Sequence, residues 1–158
     1  MAQFAVHAAP RGCTRALHAI ALRWQRLCCD PRFLLRARRS RFTALAWGQA
    51  TAACPDGLVA GGMADGSVLV WNARALMKGA GDKAVLARIK RHQGAVRAVQ
   101  FNPHGASKHL LATAGADGQV CIVNLANTAT PSVAVLTAAG KGSAELTSLA
   151  WNTAVVHI

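Results

Sequence analysis

The side chains able to do chemistry in this 158-residue chain are few and poorly spaced for it. Six histidines stand at positions 7, 18, 92, 104, 109 and 157. None shows the His-x-x-x-His spacing, with an acid nearby, that sets two imidazoles on one helical face around a metal. Five cysteines, with Cys28 and Cys29 adjacent, describe neither a disulfide framework nor a zinc site. They favour a reduced, cytosolic setting. Gly140-Lys141-Gly142-Ser143 has residues of a phosphate loop but lacks the earlier glycine and the Gly-Lys-Ser/Thr order. No serine or cysteine has a His/Asp partner that the sequence can name. No catalytic, cofactor-binding or metal-binding residue is therefore assigned, no cofactor is expected, and an enzyme is not expected. His104 and His109 flank a turn-rich loop and read as solvated. The polar residues left to explain are Asp65 and Asp117, each followed by glycine, and His92.

Asp65-Gly66 and Asp117-Gly118 are equivalent points of a repeat. Leu58 to Asn72, LVAGGMADGSVLVWN, recurs 52 residues later at Leu110 to Asn124, LLATAGADGQVCIVN, with seven identities in fifteen and no gap. Phe42 to Trp47, FTALAW, recurs at Leu146 to Trp151, LTSLAW, an offset of 104. Val96 to Phe101, VRAVQF, supplies the intermediate copy. Apolar runs on either side of Asp-Gly predict a β-hairpin, because glycine takes positive φ without strain. Strands Val59–Gly62 and Ser67–Trp71 then pair across Asp65-Gly66, and Leu111–Gly115 and Gln119–Val123 pair across Asp117-Gly118. Small residues (Ala60, Gly61, Gly62; Ala112, Ala114, Gly115) mark places where sheets approach closely. FTALAW and VRAVQF add a preceding strand to each hairpin, and Ala84–Ile89 and Val133–Leu136 are candidate outer strands. A short-strand unit with a period of roughly 40–50 residues is a propeller-type array. The fold class expected is all-β, a partial β-propeller of about two blades plus the start of a third. The blades run about 41–91, 92–143 and an incomplete 144–158.

The net charge of +12 is unevenly spread. Residues 1–41 hold nine arginines against one acid, a balance of +8, whereas residues 42–158 hold nine basic residues against five acids, a balance of +4. The leader, residues 1–40, lacks the repeat. Leu17, Ile20, Ala21, Trp24, Leu27 and Cys28 fall on one helical face before Asp30-Pro31 would end the helix. It reads as disordered or as an amphipathic helix, with organelle targeting or an anionic membrane surface as alternatives. A fusion of residues 1–41 to a fluorescent reporter tests targeting, which a diffuse signal would exclude. No run of about 18 apolar residues predicts a membrane span.

The order His92, VRAVQFNP, LLATAGADGQVCIVN resembles a WD-repeat. That resemblance implies a buried hydrogen-bond relay joining His92, Thr113 and Asp117, with Val123 where the family has its closing Trp. The first blade keeps Asp65, Gly66 and Trp71 but has no matching His. A narrower resemblance covers about Arg41 to Ile158. It rests on RFTALAWG, on HQGAVRAVQFNP and on LTSLAWNTAVVHI, which together are similar to the amino-terminal propeller of the larger outer-coat subunit of the COPII vesicle coat, the Sec-thirty-one type. The resemblance implies a structural coat protein for endoplasmic reticulum to Golgi transport. It implies a cytoplasmic location on exit sites and vesicles, with only peripheral membrane contact. The partners implied are the smaller WD-repeat coat subunit and the inner coat, although the family's segments for binding them lie outside this chain, and the leader stands in place of the family's first blade.

Two further readings stay open. The chain could be a WD-repeat scaffold of some other complex. Its basic balance also raises nucleic-acid binding, through Arg88, Lys90, Arg91 and Arg97 around one loop. Against this, only four excess charges sit in the repeats, and Trp47, Trp71 and Trp151 fall at strand positions expected to be core. Two blades leave faces and strand edges open, which predicts marginal stability or aggregation for the chain alone. Cooperative thermal unfolding of a soluble monomer would contradict that.

Overall fold

The computed structural model describes residues 41–49, 54–137 and 144–152. The leader 1–40, Gly140–Ser143, His157 and the later part of the third repeat lie outside these residues. Two antiparallel sheets of four strands each form in chain order. The first comprises β1 (Phe42–Gly48), β2 (Leu58–Met63), β3 (Ser67–Asn72) and β4 (Val85–Lys90). The second comprises β5 (Val96–Phe101), β6 (Leu110–Gly115), β7 (Gln119–Asn124) and β8 (Ser132–Thr137). Each unit thus has four strands, and the outer ones are displaced by only a residue or so from Ala84–Ile89 and Val133–Leu136.

The hairpin turns form because Gly66 and Gly118 sit at φ +82° and +71°, where any Cβ would be strained. Asp65 accepts the Ser67 N–H at 2.9 Å, and Asp117 accepts that of Gln119 at 3.2 Å, so each aspartate fastens its own turn. The resulting register is equivalent in the two sheets: Ala60 faces Val70 as Ala112 faces Ile122. A register shift near the start of β1, between Phe42 and Ala44, is matched by one between Val96 and Ala98 in β5.

The sheets pack face to face. The core between them takes Leu58, Ala60, Val68, Val70, Ala87 and Ile89 from the first sheet and Val96, Val99, Phe101, Leu111, Val123 and Leu125 around the second. Close approach demands small residues. A Cβ on Gly62 would lie 2.5 Å from a Val96 methyl, and one on Gly48 2.8 Å from the Phe101 ring.

The opposite face of the first sheet has its own apolar cluster of Val59, Met63, Leu69 and Trp71, with Phe42 and Trp47 at its margin. Ala73 and Ala84, from the connection between β3 and β4, join it. That connection contains a short helix, α1 (Ala73–Met77), and a 3-10 turn over Gly81–Ala84, where sequence reading sees only a loop at Gly79–Asp82. Asn72 caps α1 by accepting the Ala75 N–H.

Two expectations need correction. Leu146–Trp151 is not in a strand. A blade's first strand is laddered to its second, and no second strand of the third repeat occurs among the described residues. The segment instead lies over the second sheet: the Leu146 N–H donates to the Gly115 carbonyl at the end of β6, the Trp151 N–H to the Gln100 side chain on β5, and the Trp151 indole to the Gln100 carbonyl. Of the three tryptophans expected in the core, Trp71 is buried, but Trp47 and Trp151 are half-buried. Trp47 stands next to last in β1, its indole nitrogen against the Gly57 turn, and Trp151 is held by Gln100 of β5.

Candidate functional site: a buried histidine relay

Thr113 and Cys121 stand opposite each other on β6 and β7. They share a face with Leu111 and Val123, which belong to the core between the sheets. His92 comes from the loop between β4 and β5 and drops onto this face. It is 3% exposed and Thr113 is 1% exposed. His92 Nε2 lies 2.8 Å from Thr113 Oγ1, and Nδ1 lies 3.1 and 3.3 Å from the two Asp117 oxygens. The Gln93 N–H donates to the same carboxylate at 2.8 Å.

The electrostatics set the proton positions. Burial works to raise the Asp117 pKa. Hydrogen bonds from the Gln93 N–H, the His92 ring and the Gln119 N–H outweigh it, so the carboxyl is held below its ordinary value. A carboxylate only accepts, so Nδ1 carries a hydrogen. In the neutral ring Nε2 then accepts from the Thr113 hydroxyl, because the alternative acceptor, the Cys121 carbonyl, is 3.5 Å away. Both ring nitrogens are engaged and the ring is out of water. The arrangement can tie a loop to a hairpin.

The sign of the Asp117 shift gives a pH expectation. A depressed folded-state value contributes stability that is present above the unfolded value, about 3.9, and is lost as pH falls through the folded one. Asp117→Asn should therefore flatten the acid limb of a stability-against-pH curve measured by urea unfolding below about pH 4, relative to the unsubstituted chain.

Cys121, 1% exposed beneath the relay, has its thiol pKa raised by burial and then by the Asp117 charge. A thiol so held stays protonated and inert. Alkylation of Cys121 by iodoacetamide at neutral pH should run at least about a hundredfold slower in the native protein than in urea, read by mass spectrometry of the Cys121 peptide.

Glycine makes room for the relay. A Cβ on Gly115 would lie 2.5 Å from His92 Nδ1 and 2.4 Å from Asp117 Oδ1. The equivalent residues of the first sheet, 52 positions earlier, are different: Met63 stands for Gly115, Gly61 for Thr113 and Trp71 for Val123. There Phe42 and Trp71 pack with ring centroids 5.7 Å apart and both close over Gly61, where a Cβ would be 3.0 Å from each ring. Asp65 is correspondingly exposed, whereas the Asp117 side chain is 9% exposed. The two aspartates thus make equivalent turns, but Asp117 joins a polar relay while Asp65 stays at the exposed turn of a sheet whose matching positions carry an aromatic and thioether cluster. Gly115, Phe42 and the Gln93 and Gln119 N–H groups escape a motif reading, although aligning the repeats on Asp-Gly exposes the Met63/Gly115 and Gly61/Thr113 exchanges.

The remaining candidates separate. Arg88, Lys90 and Arg91 are exposed, while Arg97 is paired with Glu145. His104 and His109, expected to be solvated, are half-buried. The His104 ring donates to the Asn152 carbonyl at 2.8 Å, because the 144–152 segment runs past it. Asp56 and Arg74 form an ion pair at 2.6 Å between the Pro55 turn and α1. Among the described residues no three His, Cys, Asp or Glu side chains are grouped to hold a metal ion. No helix among them is long and apolar enough to cross a membrane.

Comparison with known proteins agrees with this architecture. Residues 83–124, which run from the end of the β3–β4 connection through β7, match the family described as WD domain, G-beta repeat. The chain is 37% identical over 119 residues to "Protein transport protein SEC31" of Phaeosphaeria nodorum, covering 75% of this chain and 9% of that protein. It is 42% identical over 102 residues to the protein of that name in Aspergillus oryzae, covering 65% of this chain and 8% of the relative. The protein of that name in Dictyostelium discoideum is 31% identical over 127 residues, with 75% and 9% covered. The chain therefore spans less than a tenth of the length of these relatives. A chain in the crystal structure of a mitotic checkpoint complex overlaps 67% of this chain and 26% of its own at TM-score 0.47 and 16% identity, a likeness that decides nothing further. Two four-stranded sheets, a turn-and-relay constellation in the second and the shared sequence with these relatives identify the chain as a WD-repeat segment of the SEC31 type.

Proposed function

We propose that this chain serves as a scaffold in the COPII coat that carries cargo from the endoplasmic reticulum to the Golgi, acting through protein–protein contacts rather than catalysis. The observation that carries this reading is the 37–42% identity to transport proteins over 65–75% of the chain. The relay supports it: its polar groups are spent on one another and hold the second sheet together, as a rigid scaffold requires and a reactive site does not. The location proposed is the cytoplasmic side of endoplasmic-reticulum exit sites. The partners proposed are other coat subunits, among them the smaller WD-repeat subunit and the inner coat. The blade boundaries proposed are about 41–91 and 92–143, with 144–158 opening a third.

Affinity purification of the tagged full chain, with mass spectrometry of what accompanies it, tests the reading. Enrichment of coat subunits together with punctate exit-site fluorescence is expected. Enrichment of another complex without coat subunits would assign the scaffold elsewhere. The exposed Arg88, Lys90 and Arg91 keep a nucleic-acid reading testable, since RNA binding that weakens steeply with salt would replace the coat reading.

A further inference from the structure

One face of the first sheet is buried with no described sheet against it. Val59 and Trp71 are the repeat equivalents of Leu111 and Val123, 52 positions earlier. In the second sheet those residues face the first sheet, but in the first sheet they belong to the opposite, outer face. Val59, Met63, Leu69 and Trp71 on that face are nevertheless only 5–7% exposed. The β3–β4 connection meets the face at its Asn72 end, through Ala73 and Ala84. Met63 stands at the other end, beside the Asp65-Gly66 turn. An apolar face withdrawn from water along its whole length needs a cover, and the burial is that of a single chain.

We propose that the leader supplies the cover: its apolar helical stripe from Leu17 to Cys28 docks on the outer face of the first sheet, as the first sheet itself docks on the second. Continuity selects the leader. It runs straight into β1, where Phe42 already belongs to the face, its ring 5.7 Å from that of Trp71. Dimensions agree. Twelve helical residues are about 18 Å long, and the six-residue strands they would cross or follow are about 20 Å. The twelve residues from Cys29 to Ser40 can span about 40 Å, so the stripe can reach any part of the face. Polarity agrees as well, because Arg15, His18, Arg23 and Arg26 fall off the stripe and stay in water. The other undescribed stretches fit less well. Residues 50–53 are only four, and 138–143 and 153–158 continue from segments that lie with the second sheet. A second copy would bring +12 against +12, which opposes its serving as the cover. This docking is independent of the coat reading, and either can fail alone.

Chemical labelling of the full chain tests it, first without any variant. Cys28 falls on the stripe and Cys29 off it. Iodoacetamide at neutral pH should therefore modify Cys28 at least about tenfold more slowly than Cys29 in the native protein, and the two alike in urea. Fragment spectra of the peptide that holds both cysteines read the ratio. Met63 gives the reciprocal reading from the sheet. Its conversion to the sulfoxide by hydrogen peroxide should be slow natively at every protein concentration. Trp24→Lys should speed that conversion at least about tenfold, whereas Arg23→Ser, off the stripe, should leave it unchanged. Equal alkylation of Cys28 and Cys29 in the native chain would overturn the proposal, as would a Met63 that reacts natively as fast as in urea. Met63 protection that grows with concentration would assign the cover to a second copy and overturn it too. So would a folded Trp24→Lys chain, by circular dichroism, in which Met63 keeps its protection.

Discussion

Replacing His92 by alanine is expected to destabilise the chain by about 3 kcal/mol, and Thr113→Val by about 1–2 kcal/mol. His92 is buried and engaged at both nitrogens. Its removal leaves a cavity the size of an imidazole, strips the Asp117 carboxylate of one donor, and leaves the Thr113 hydroxyl only the Cys121 carbonyl at 3.5 Å. Thr113→Val removes one partner, so Nε2 stays buried without a donor, which is more unfavourable than losing a solvent-exposed hydrogen bond. Thr113→Ser keeps the hydroxyl and should recover most of the difference. Urea unfolding followed by tryptophan fluorescence and by circular dichroism measures all three. The two changes meet at one hydrogen bond, so the double variant should be less destabilised than the sum by about 1 kcal/mol or more. Additive effects, or a His92→Ala effect under about 1 kcal/mol, would mean that the relay is ornamental. Against the 5–15 kcal/mol total of ordinary domains, 3 kcal/mol is a large share.

The sequence makes the hairpins legible because an Asp-Gly turn is a local device. Gly66 and Gly118 take positive φ, Asp65 and Asp117 accept the N–H two residues on, and the flanking apolar runs have little choice but to pair. The outer strands are legible to within a residue or so for the same reason, as short β-branched runs bounded by breakers. α1 is not. Asn72 and Asn124 are equivalent residues in the repeat, and both use the side-chain oxygen to hold a later N–H, that of Ala75 in one case and Ala126 in the other. The residues just after each asparagine decide the outcome. ARALM is made of good helix formers, whereas LANTATP brings threonines and Pro131. Five residues are too short for any periodic signal, so the helix is visible only through its cap.

The relay is half legible. A WD-repeat resemblance brings His92, Thr113 and Asp117 to notice, and the structure brings those three together within hydrogen-bond reach. It does not reveal that the first sheet has exchanged the polar arrangement for Phe42, Met63 and Trp71 packed over Gly61, since that exchange is spread over three strands and becomes apparent only when shape is considered. A threonine at position 61 would strike both rings, just as a methionine at 115 would strike the imidazole. The two sets are therefore alternative solutions to filling the same place in a blade, and they do not mix one residue at a time. Nor does a motif report what a segment lacks. LTSLAW has the pattern of a strand, but a strand is a property of two segments, and the 144–152 stretch finds β5 as a surface rather than as a ladder.

Gly66→Ala is expected to have the second large effect, about 3 kcal/mol or more, although the turn it occupies is at the surface of the first sheet. Two terms add. At φ +82° an L-residue is strained by about 1 kcal/mol. In addition, the new methyl would lie 2.1 Å from the His92 carbonyl oxygen, 2.9 Å from its carbon and 3.0 Å from the Gly94 carbonyl oxygen. All three are backbone atoms and cannot rotate away, so either the first hairpin lifts from the second sheet or the 92–94 loop moves and carries the imidazole off Asp117 and Thr113. Gly81→Ala separates the two terms. Its φ is also positive, at +55°, but nothing lies within 4 Å of its Cβ, so backbone strain alone should lower stability by about 1 kcal/mol. A second readout locates the damage: if the loop yields, Cys121 beneath the relay should alkylate faster in Gly66→Ala than in Gly81→Ala at equal global stability. Equal destabilisation by the two glycine changes, with Cys121 equally shielded, would mean that the first turn does not bear on His92 and that the sheets are held by their apolar faces alone.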